Sequence, residues 1–574
     1  MSRYQRFSSR LSTFSAVLTA FWLGACGQAG GGEGPGQNPG GSGGITGTGG
    51  TGGGTGGSGA TGGSTAGNPG LPEHPDACAA SVPGPRLLRR LTRQEMLNTH
   101  AAVFPSVAPQ VATDLPADAQ GEVRLSNDAA TLMMGSQVTE AVLDRAEEIA
   151  DIVTSAASLS STLPCATQAD AACATQFIDQ YGSALFRRPL AEAERSRYLT
   201  LFQSVSGRSD FATGLKWALV ALIQSPHTVY RSELGEGGQL TPYEIASQLA
   251  YNYSASPPSQ ALIDLAVSGG LTDPEARVAE ARALLMAPGG RQVVQQFFTE
   301  WLWYGSAASA NRANAPSNFT TVRSKMVLET QRFIDDAIFG RLMSISDLMT
   351  ANYTIADTEL AAYYGVSGGT GDLFSGGGSE VTRTHGVGLF AQGSVLTSMA
   401  SVEITSPTRR GLLLFKRLYC QVPGLPEAIN FDLTRSEIQG NTTREKLENS
   451  HLESGCQACH ANFDPLGFAF EHFDHVGRYR TEEQTNAGSF PVDATATVAL
   501  LDNALVNGQE ELMTLVAQDP EVLSCVSATL ERYVYGSDGS CRAKDARSKV
   551  MAGGVSLVDY LADLAREPHV VSRQ

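Results

Sequence analysis

Apolar side chains recur at three- and four-residue intervals along most of the chain after residue 90, a spacing typical of amphipathic helices. Thr92 and Glu95 form a capping-box pattern at the first helix, and Pro242 stands at a first-turn position of a later one. The helical pattern covers residues 141–156, 176–186, 192–202, 211–223, 243–253, 276–286, 290–304, 320–342 and 410–418, and it returns between residues 509 and 564. A stretch at residues 493–501 favours a strand. The sequence therefore predicts a mainly α, multi-unit helical protein with few short β stretches.

Breaks in this pattern divide the chain. The glycine-rich loop Gly368–Gly378 predicts a domain boundary, and the run Asp464–Gly467 predicts a turn. The predicted division is a lipoprotein signal peptide at 1–25, a flexible tether at 26–70, helical units at 71–160, 161–236 and 237–367, a domain at 368–485, and a C-terminal helical domain at 486–574.

The first residues have the pattern of a secretory signal. Three arginines precede the apolar run Leu11–Leu23, which is too short and wrongly flanked for a membrane span. Small residues then lead into Cys26 and resemble a bacterial lipobox, which implies cleavage before Cys26 and diacylation of its thiol. An ordinary signal peptide cut after Ala25 is the alternative. Because Gly27 rather than aspartate follows the cysteine, we expect an outer-membrane anchor, with the protein facing the periplasm or the cell surface.

The segment Gly27–Gly70 consists largely of glycine, serine and threonine. Such a composition cannot bury a core and predicts a flexible tether spanning roughly 35–40 Å on average.

The whole chain carries a formal charge of −17, and removal of the three signal arginines lowers it to −20. This charge disfavours nucleic acid as a partner, because phosphate repels an acidic surface. It is compatible with a basic redox partner. No GxSxG elbow, HExxH zinc helix or convincing catalytic carboxylate pair is present.

The candidate chemistry lies in the run from Cys456 through Cys459 to His460, a CxxCH sequence. One helical turn separates the two cysteines, so both thiolates can reach the two vinyl groups of one porphyrin edge. His460 then becomes the axial iron ligand. We therefore expect one covalent haem c in a c-type-cytochrome-like segment. The alternatives for this run are a structural zinc half-site and a disulfide.

The sixth iron ligand has two main candidates. His451 lies five residues before Cys456, and an extended segment of that length reaches about 17 Å, enough to pass a haem edge. Met399 is the alternative, since methionine with histidine is a common cytochrome pair. His472 and His475 fit exposed positions better. A sixth position left open would favour reaction with peroxide or small ligands.

Several motifs resemble one class of exported, haem-motif proteins of planctomycetes and myxobacteria. These proteins are built from the consecutive domains of unknown function 1587, 1595, 1592, 1588 and 1585. The motifs are Phe186–Leu190 (FRRPL), Ser225–Pro226 with Tyr230–Glu233 (YRSE), Ser406–Pro407 with Arg410–Gly411, Thr443–Glu445, and CxxCH followed by the segment 464–480 (DPLGFAFEHFDHVGRYR).

Basic and acidic side chains surround the CxxCH run. Arg410, Arg478 and Arg480 are candidates to pair with the two haem propionates, because a guanidinium fork binds carboxylates bidentately. Ordinary ion pairing is the alternative for each. Glu471 and Asp474 lie three residues apart, and this spacing fits capping or arginine binding better than acid–base catalysis.

Nine cysteines are present. Cys26 is the predicted lipidation site, and Cys456 and Cys459 are the predicted haem attachment points. An even remainder in an exported protein predicts disulfides. The six candidates pair most simply as Cys165–Cys173, Cys525–Cys541 and, by elimination, Cys78–Cys420.

The sequence is compatible with three functions. The first is a membrane-tethered, exported c-type haem protein that transfers electrons to an unidentified redox partner, or serves as the redox subunit of an oxidation. The second is a haem enzyme with an open sixth position that reduces peroxide or oxidises a substrate. The third is a non-haem scaffold held by disulfides, or by zinc on His451, Cys456, Cys459 and a residue such as Cys420.

Overall fold

A computed structural model describes residues 83–120, 125–423, 439–450, 454–537, 551 and 553–574, with the backbone alone at residues 454–456 and 458. The described part is mainly helical, as the sequence predicts. Its α-helices are α1 (Arg93–Val103), α2 (Ser136–Val153), α3 (Ala156–Thr162), α4 (Ala171–Phe186), α5 (Glu192–Ser206), α6 (Phe211–Ile223), α7 (Pro226–Val229), α8 (Pro242–Ser254), α9 (Gln260–Val267), α10 (Pro274–Met286), α11 (Pro288–Leu302), α12 (Phe319–Asp335), α13 (Ile345–Thr350), α14 (Thr358–Tyr364), α15 (Gly393–Ser398), α16 (Pro407–Leu418), α17 (Thr443–Ser450), α18 (Ser454–Phe468), α19 (Gln509–Val516), α20 (Pro520–Tyr535) and α21 (Leu557–Asp563).

Eight short strands form four antiparallel two-stranded ribbons within the described residues. The pairs are β1 (Leu87–Arg90) with β2 (Tyr230–Glu233), β3 (Tyr353–Ala356) with β4 (Ser379–Thr382), β5 (Glu482–Thr485) with β6 (Gly488–Pro491), and β7 (Thr495–Val498) with β8 (Ala504–Asn507). The first ribbon brings the start of the described chain against the YRSE motif, since Leu87 faces Glu233 and Arg90 faces Tyr230.

Local sequence signals set the helix starts. Thr92 accepts a hydrogen bond from the backbone N–H of Glu95, whose carboxylate accepts one from the backbone N–H of Thr92, so the predicted capping box is confirmed. Pro242 occupies the first turn of α8, where the N–H it lacks would have no partner within the helix.

The long helix predicted over residues 320–342 is shorter. Its α-helical part α12 ends at Asp335 and continues as one π-helical turn, Asp336–Gly340. Apolar periodicity does not distinguish a π turn from the α-helix that precedes it.

The predicted turn at Asp464–Gly467 is wrong. These residues continue α18, with Pro465 inside the helix. Proline lacks an N–H and its ring crowds the carbonyl four residues earlier, which costs about 3 kcal/mol in a helix interior. Tertiary packing, described below, therefore maintains this helix against its local preference.

One large apolar core runs from Leu125 to Val570 and includes Phe297, Phe298 and Trp301 of α11 together with Phe463 and Leu466 of α18. Its members come from several of the predicted units. The described segments of these units therefore pack around a shared interior.

None of the helices in the described part of the chain has the length and apolar character needed to span a bilayer.

Candidate functional site

Two helices, α16 and α18, cross with their backbones in contact near the CxxCH run. A Cβ placed on Gly411 would lie 1.8 Å from the carbonyl oxygen of Phe463, and one on Gly467 would lie 1.8 Å from the carbonyl oxygen of Pro407. Any larger side chain at either glycine would force the helices apart. The crossing therefore depends on these two small residues.

The contacts also show that α16 and α18 run antiparallel. Pro407, at the start of α16, meets Gly467 near the end of α18, whereas Phe415, later in α16, has its ring centroid 5.8 Å from that of Phe463. The first turns of α18 therefore point toward the end of α16, where Cys420 follows.

The three residues of the CxxCH run lie together in the first two turns of α18. The side chain of Cys456 lies outside the described residues. Cys459 is partly buried and packs against the large core, while the next residue, His460, keeps 25% of its side chain exposed. The helix thus turns the second thiol inward and leaves the imidazole at its edge.

His460 has a carboxylate partner. Its Nδ1 lies 3.1 Å from Oδ2 of Asp464, one turn later on α18, and its ring packs against Phe463 at a centroid distance of 4.9 Å. Sequence reasoning gave Asp464 only a turn-shaping role. The His-x-x-x-Asp spacing could have revealed the contact, but only if the helix had been extended through Pro465.

This donor set fits a covalently attached haem. Two cysteines one turn apart and the following histidine would supply the attachment points and the axial ligand of such a group. An imidazole that ligates iron through Nε2 commonly donates its Nδ1–H to a carboxylate, and Asp464 is placed for that bond.

Arg410 is 2% exposed and clamps the segment Phe470–Arg480, called the motif loop below. Its Nη1 donates to the carbonyl oxygens of Phe470 (2.9 Å) and Phe473 (2.7 Å), and its Nη2 donates to that of Asp474 (2.9 Å). These bonds explain why an Arg-Gly pair on α16 accompanies the motif loop. They engage both terminal nitrogens of Arg410, and the predicted contact with a propionate stays a prediction.

Glu471 belongs to the same loop, and its side chain is buried, with the residue 2% exposed. Its Oε2 accepts hydrogen bonds from Thr405 Oγ1 (2.8 Å) and Arg480 Nη2 (3.0 Å), while Arg410 Nη1 lies 3.6 Å from Oε1. Burial raises the pKa of Glu471 above its ordinary range, although both arginines oppose this. Burial likewise lowers the pKa of Arg410 to about 10.

Asp474 and Arg478 complete the loop. Oδ1 of Asp474 accepts from the backbone N–H groups of Val476 (3.0 Å) and Arg478 (2.8 Å), and Oδ2 accepts from Arg478 Nε (3.1 Å). Asp474 thus has a structural task, like Glu471. The side chain of Arg478 is 42% exposed and remains within reach of solvent.

The candidates for the sixth iron ligand differ in their surroundings. His451 lies outside the described residues. Met399 is buried, and the segment that follows it reaches the far end of α18, since Thr405 bonds Glu471. The Nδ1–H of His472 donates to the carbonyl of Arg480 (2.9 Å), and the Nε2–H of His475 donates to that of Ala313 (2.8 Å).

The cysteine pairing is partly as predicted. The disulfide Cys165–Cys173 is confirmed. The pairings Cys78–Cys420 and Cys525–Cys541 are wrong for Cys420 and Cys525, which form a disulfide with each other across 105 residues. Sequence spacing favoured short loops, whereas packing brings the end of α16 against α20. Cys26, Cys78 and Cys541 lie outside the described residues.

This disulfide also bears on the zinc alternative. A cysteine must be a thiolate to bind zinc, and the sulfur of Cys420 is instead bonded to that of Cys525. Across the described residues, no group of three or more His, Cys, Asp and Glu side chains is arranged to hold a metal ion.

The FRRPL motif repeats the clamp of Arg410. Arg187 is 4% exposed; its Nη1 donates to the carbonyl of Thr228 (3.1 Å), and its Nη2 donates to those of His227 (2.6 Å) and Tyr230 (2.7 Å). Two of the motifs that carry the resemblance therefore each contain a buried arginine, and this arginine donates hydrogen bonds to the backbone carbonyls of a neighbouring loop.

Four family profiles match the chain in succession. Each is described as a protein of unknown function: DUF1587 at residues 89–155, DUF1595 at 173–233, DUF1592 at 240–366 and DUF1588 at 386–483. The last match includes the CxxCH run, the Arg410 clamp and the motif loop. No curated protein and no solved structure matches the chain. The chain therefore belongs to the class of proteins built from the consecutive domains of unknown function 1587, 1595, 1592 and 1588.

Proposed function

We propose that this chain is an exported c-type haem protein that transfers electrons, alone or as the redox subunit of an oxidation. The observation that carries the proposal is the placement of Cys456, Cys459 and His460 in the first two turns of one helix, with Nδ1 of the histidine facing a carboxylate. The bound haem would supply one-electron chemistry at its iron.

The chain's own residues have distinct tasks in this proposal. Cys456 and Cys459 would hold the porphyrin edge, and His460 would ligate the iron through Nε2. The Gly411–Gly467 crossing fixes the helix that carries all three. Arg478, with its partly exposed guanidinium, is the best placed of the three predicted propionate partners. Arg410 is buried and holds the motif loop, and Arg480 donates to Glu471.

The test is production of the exported chain together with haem-attachment machinery. We expect a pyridine haemochrome spectrum of haem c, colour that stays with the polypeptide after acid–acetone extraction, and an intact mass that includes one haem. Replacement of both Cys456 and Cys459 by alanine abolishes attachment. The matched control, Cys165→Ser with Cys173→Ser, retains it. A mature wild-type chain without colour or added mass would refute the proposal.

The second candidate function is a haem enzyme whose sixth iron position is open. The position of the Met399 segment favours it, since the contact between Thr405 and Glu471 draws this segment toward the end of α18 opposite His460. A high-spin ferric spectrum and rapid reaction with peroxide would support this function. A six-coordinate, low-spin spectrum unchanged by peroxide would support electron transfer instead, and loss of that spectrum in His451→Ala or Met399→Ala would identify the ligand.

The membrane tether belongs to the same proposal. Diacylation of Cys26 would anchor the protein to the outer membrane, at about 0.8 kcal/mol per buried methylene of each acyl chain. In cell fractions, the wild-type chain is expected with the outer membrane and Cys26→Ser in the soluble exported fraction. Equal partition of both into the soluble fraction would remove the anchor from the proposal. The redox partner is expected to present a basic surface to this acidic chain.

A further inference from the structure

The contact between His460 and Asp464 has consequences for the imidazole that go beyond the placement of the haem attachment points. Nδ1 of the imidazole lies 3.1 Å from Oδ2 of the carboxylate. Asp464 is 5% exposed, whereas 25% of the His460 side chain is exposed. The carboxylate is thus withdrawn from water. Hydrogen bonds in such a buried, low-dielectric environment are stronger than hydrogen bonds at the surface.

The local sequence does not favour this geometry. The residue before a proline is disfavoured in the α region, and Asp464 precedes Pro465. An isolated segment would tend to end its helix before Asp464 and lose the four-residue spacing that places the carboxylate under the ring.

Packing against α16 preserves the spacing. Gly411 contacts the backbone of Phe463, the residue directly before Asp464. Gly467, three residues after Asp464, contacts the backbone of Pro407. The crossing therefore grips α18 on both sides of the Asp-Pro pair. The energy that keeps this turn helical also keeps Asp464 beside His460.

A carboxylate in this position has two effects on an axial histidine. It accepts the Nδ1–H, which fixes the tautomer that leaves Nε2 for the metal. It also makes the imidazole a more basic ligand. A more basic ligand stabilises ferric over ferrous iron and so lowers the reduction potential.

We propose that Asp464 is a positioning residue that sets the tautomer of His460 and lowers the reduction potential of the haem it ligates. The inference rests on the proposed function for its second part. The first part concerns the polypeptide alone and can be measured without haem.

The first measurement uses the haem-free full chain labelled with ¹⁵N-histidine. At a pH where His460 is neutral, its ring nitrogens should show the Nδ1–H tautomer in the wild type. Asp464→Leu should shift the ring toward the Nε2–H tautomer common in unconstrained histidine, while Asp464→Glu should restore the wild-type pattern in part. An Nε2–H tautomer in the wild type would overturn the inference whether or not the chain takes haem.

The second measurement is the midpoint potential of the matured protein. Asp464→Asn, which keeps the side chain's size, should lower the ratio of oxidised to reduced protein at a fixed potential about tenfold, a positive shift of about 59 mV for one electron. Asp464→Leu should shift the potential at least as far. The near-ultraviolet circular dichroism of each variant shows whether the fold is kept.

The control separates a local effect of Asp464 on His460 from a change in the net charge of the chain. Glu403→Gln removes one exposed carboxylate elsewhere on the chain and should leave the potential unchanged. Equal shifts in Glu403→Gln and Asp464→Asn, or no shift in Asp464→Asn, would overturn the tuning role while leaving the haem assignment intact. Absence of haem from the mature wild type would instead refute the proposed function, and the tuning role with it.

Discussion

Two glutamates buried among arginines have pKa values shifted in opposite directions. Glu233 is the last residue of the YRSE motif, contacts Arg573 near the C-terminal end of the chain and is 1% exposed. Glu471 belongs to the motif loop and is 2% exposed. Burial alone would raise the pKa of Glu233, but Arg231, Arg573 and Arg89 outweigh it and lower that pKa to about 2. For Glu471, burial prevails over Arg410 and Arg480, and the pKa is raised.

The difference lies in the surrounding charges. Arg231 Nε donates to Oε1 of Glu233 (2.8 Å) and Arg573 Nη2 donates to Oε2 (2.6 Å), with Arg89 as a third positive neighbour. Arg410 instead directs its donors to backbone carbonyls and lies 3.6 Å from Glu471. The carboxylate of Glu483 adds repulsion there.

The two clusters therefore do different work. Glu233 is an ionised counter-charge that joins the YRSE strand β2 to the end of the chain through Arg573. Glu471 is mainly a hydrogen-bond acceptor within the motif loop, which Arg410 holds by its backbone carbonyls. Removing the negative charge should matter at the first site and much less at the second.

The largest expected effect is on Glu233→Gln. Loss of the charge leaves the buried guanidinium groups of Arg231 and Arg573 without their counter-ion, whereas Arg89 keeps Glu95. Breaking such a buried pair typically costs about 3–5 kcal/mol. We expect a loss near the upper end, about 4–5 kcal/mol of unfolding free energy at pH 7, measured by urea denaturation followed by circular dichroism.

The matched variant is Glu471→Gln. The amide keeps an acceptor for Thr405 and Arg480, and burial raises the pKa of Glu471, which means that folding disfavours its charged form relative to water. A loss of about 1 kcal/mol or less is expected. Equal losses in the two variants would break the comparison.

The second expected effect concerns the two disulfides, which also differ between the regions. Cys420–Cys525 closes 105 residues next to the haem-motif helices, and Cys165–Cys173 closes 8 residues before the FRRPL motif. A longer closed loop restricts the unfolded chain more. Replacing Cys420 and Cys525 together by serine should cost about 3–4 kcal/mol, against about 2 kcal/mol for the short pair. The midpoints of denaturation of both double variants, under oxidising conditions, decide whether loop length governs the effect.

The third expected effect tests the close contact that holds α16 and α18 together. Gly411→Ala would place a methyl group 1.8 Å from the carbonyl oxygen of Phe463, so α16 and α18 must separate. Overpacking of this kind costs about 1–3 kcal/mol. Thermal denaturation should show the loss, while Gly305→Ala, whose new methyl meets its nearest neighbour at 3.7 Å, should stay near wild type.

Much of the helical architecture could be predicted, because it depends on local signals. Residues 211–223 are the helix that periodicity indicates, and the Thr92–Glu95 box and Pro242 mark helix starts as expected. Ordinary amphipathic spacing and capping carry enough information for these elements.

What could not be predicted depends on contacts distant in sequence. Pro465 argued for a turn, and only the crossing at Gly411 and Gly467 explains its place inside α18. The partner of Cys420 was decided by packing of α16 on α20. The hydrogen bonds of Arg410 depend on the same kind of contact, because a sequence shows a cation but not the three carbonyls around it.

The smallest expected effect for a single step in conditions is the pH dependence of the two glutamate variants, at most about 1.4 kcal/mol for one pH unit and opposite in sign at the two sites. The pKa of Glu233 falls from its ordinary 4.5 to about 2 on folding. Its contribution is therefore full above pH 4.5 and is lost as pH falls toward 2. The stability difference between wild type and Glu233→Gln should shrink over that interval, by at most about 1.4 kcal/mol per pH unit.

At Glu471 the folded-state pKa is raised, so its contribution is full below pH 4.5 and declines as pH rises through the folded value. The difference between wild type and Glu471→Gln should therefore fall from pH 4.5 upward, where the Glu233 difference stays constant. Denaturation of the three proteins in parallel between pH 3 and 8 measures both slopes. Slopes of the same sign would mean that the number of neighbouring guanidinium groups does not decide whether a glutamate buried in this fold is ionised.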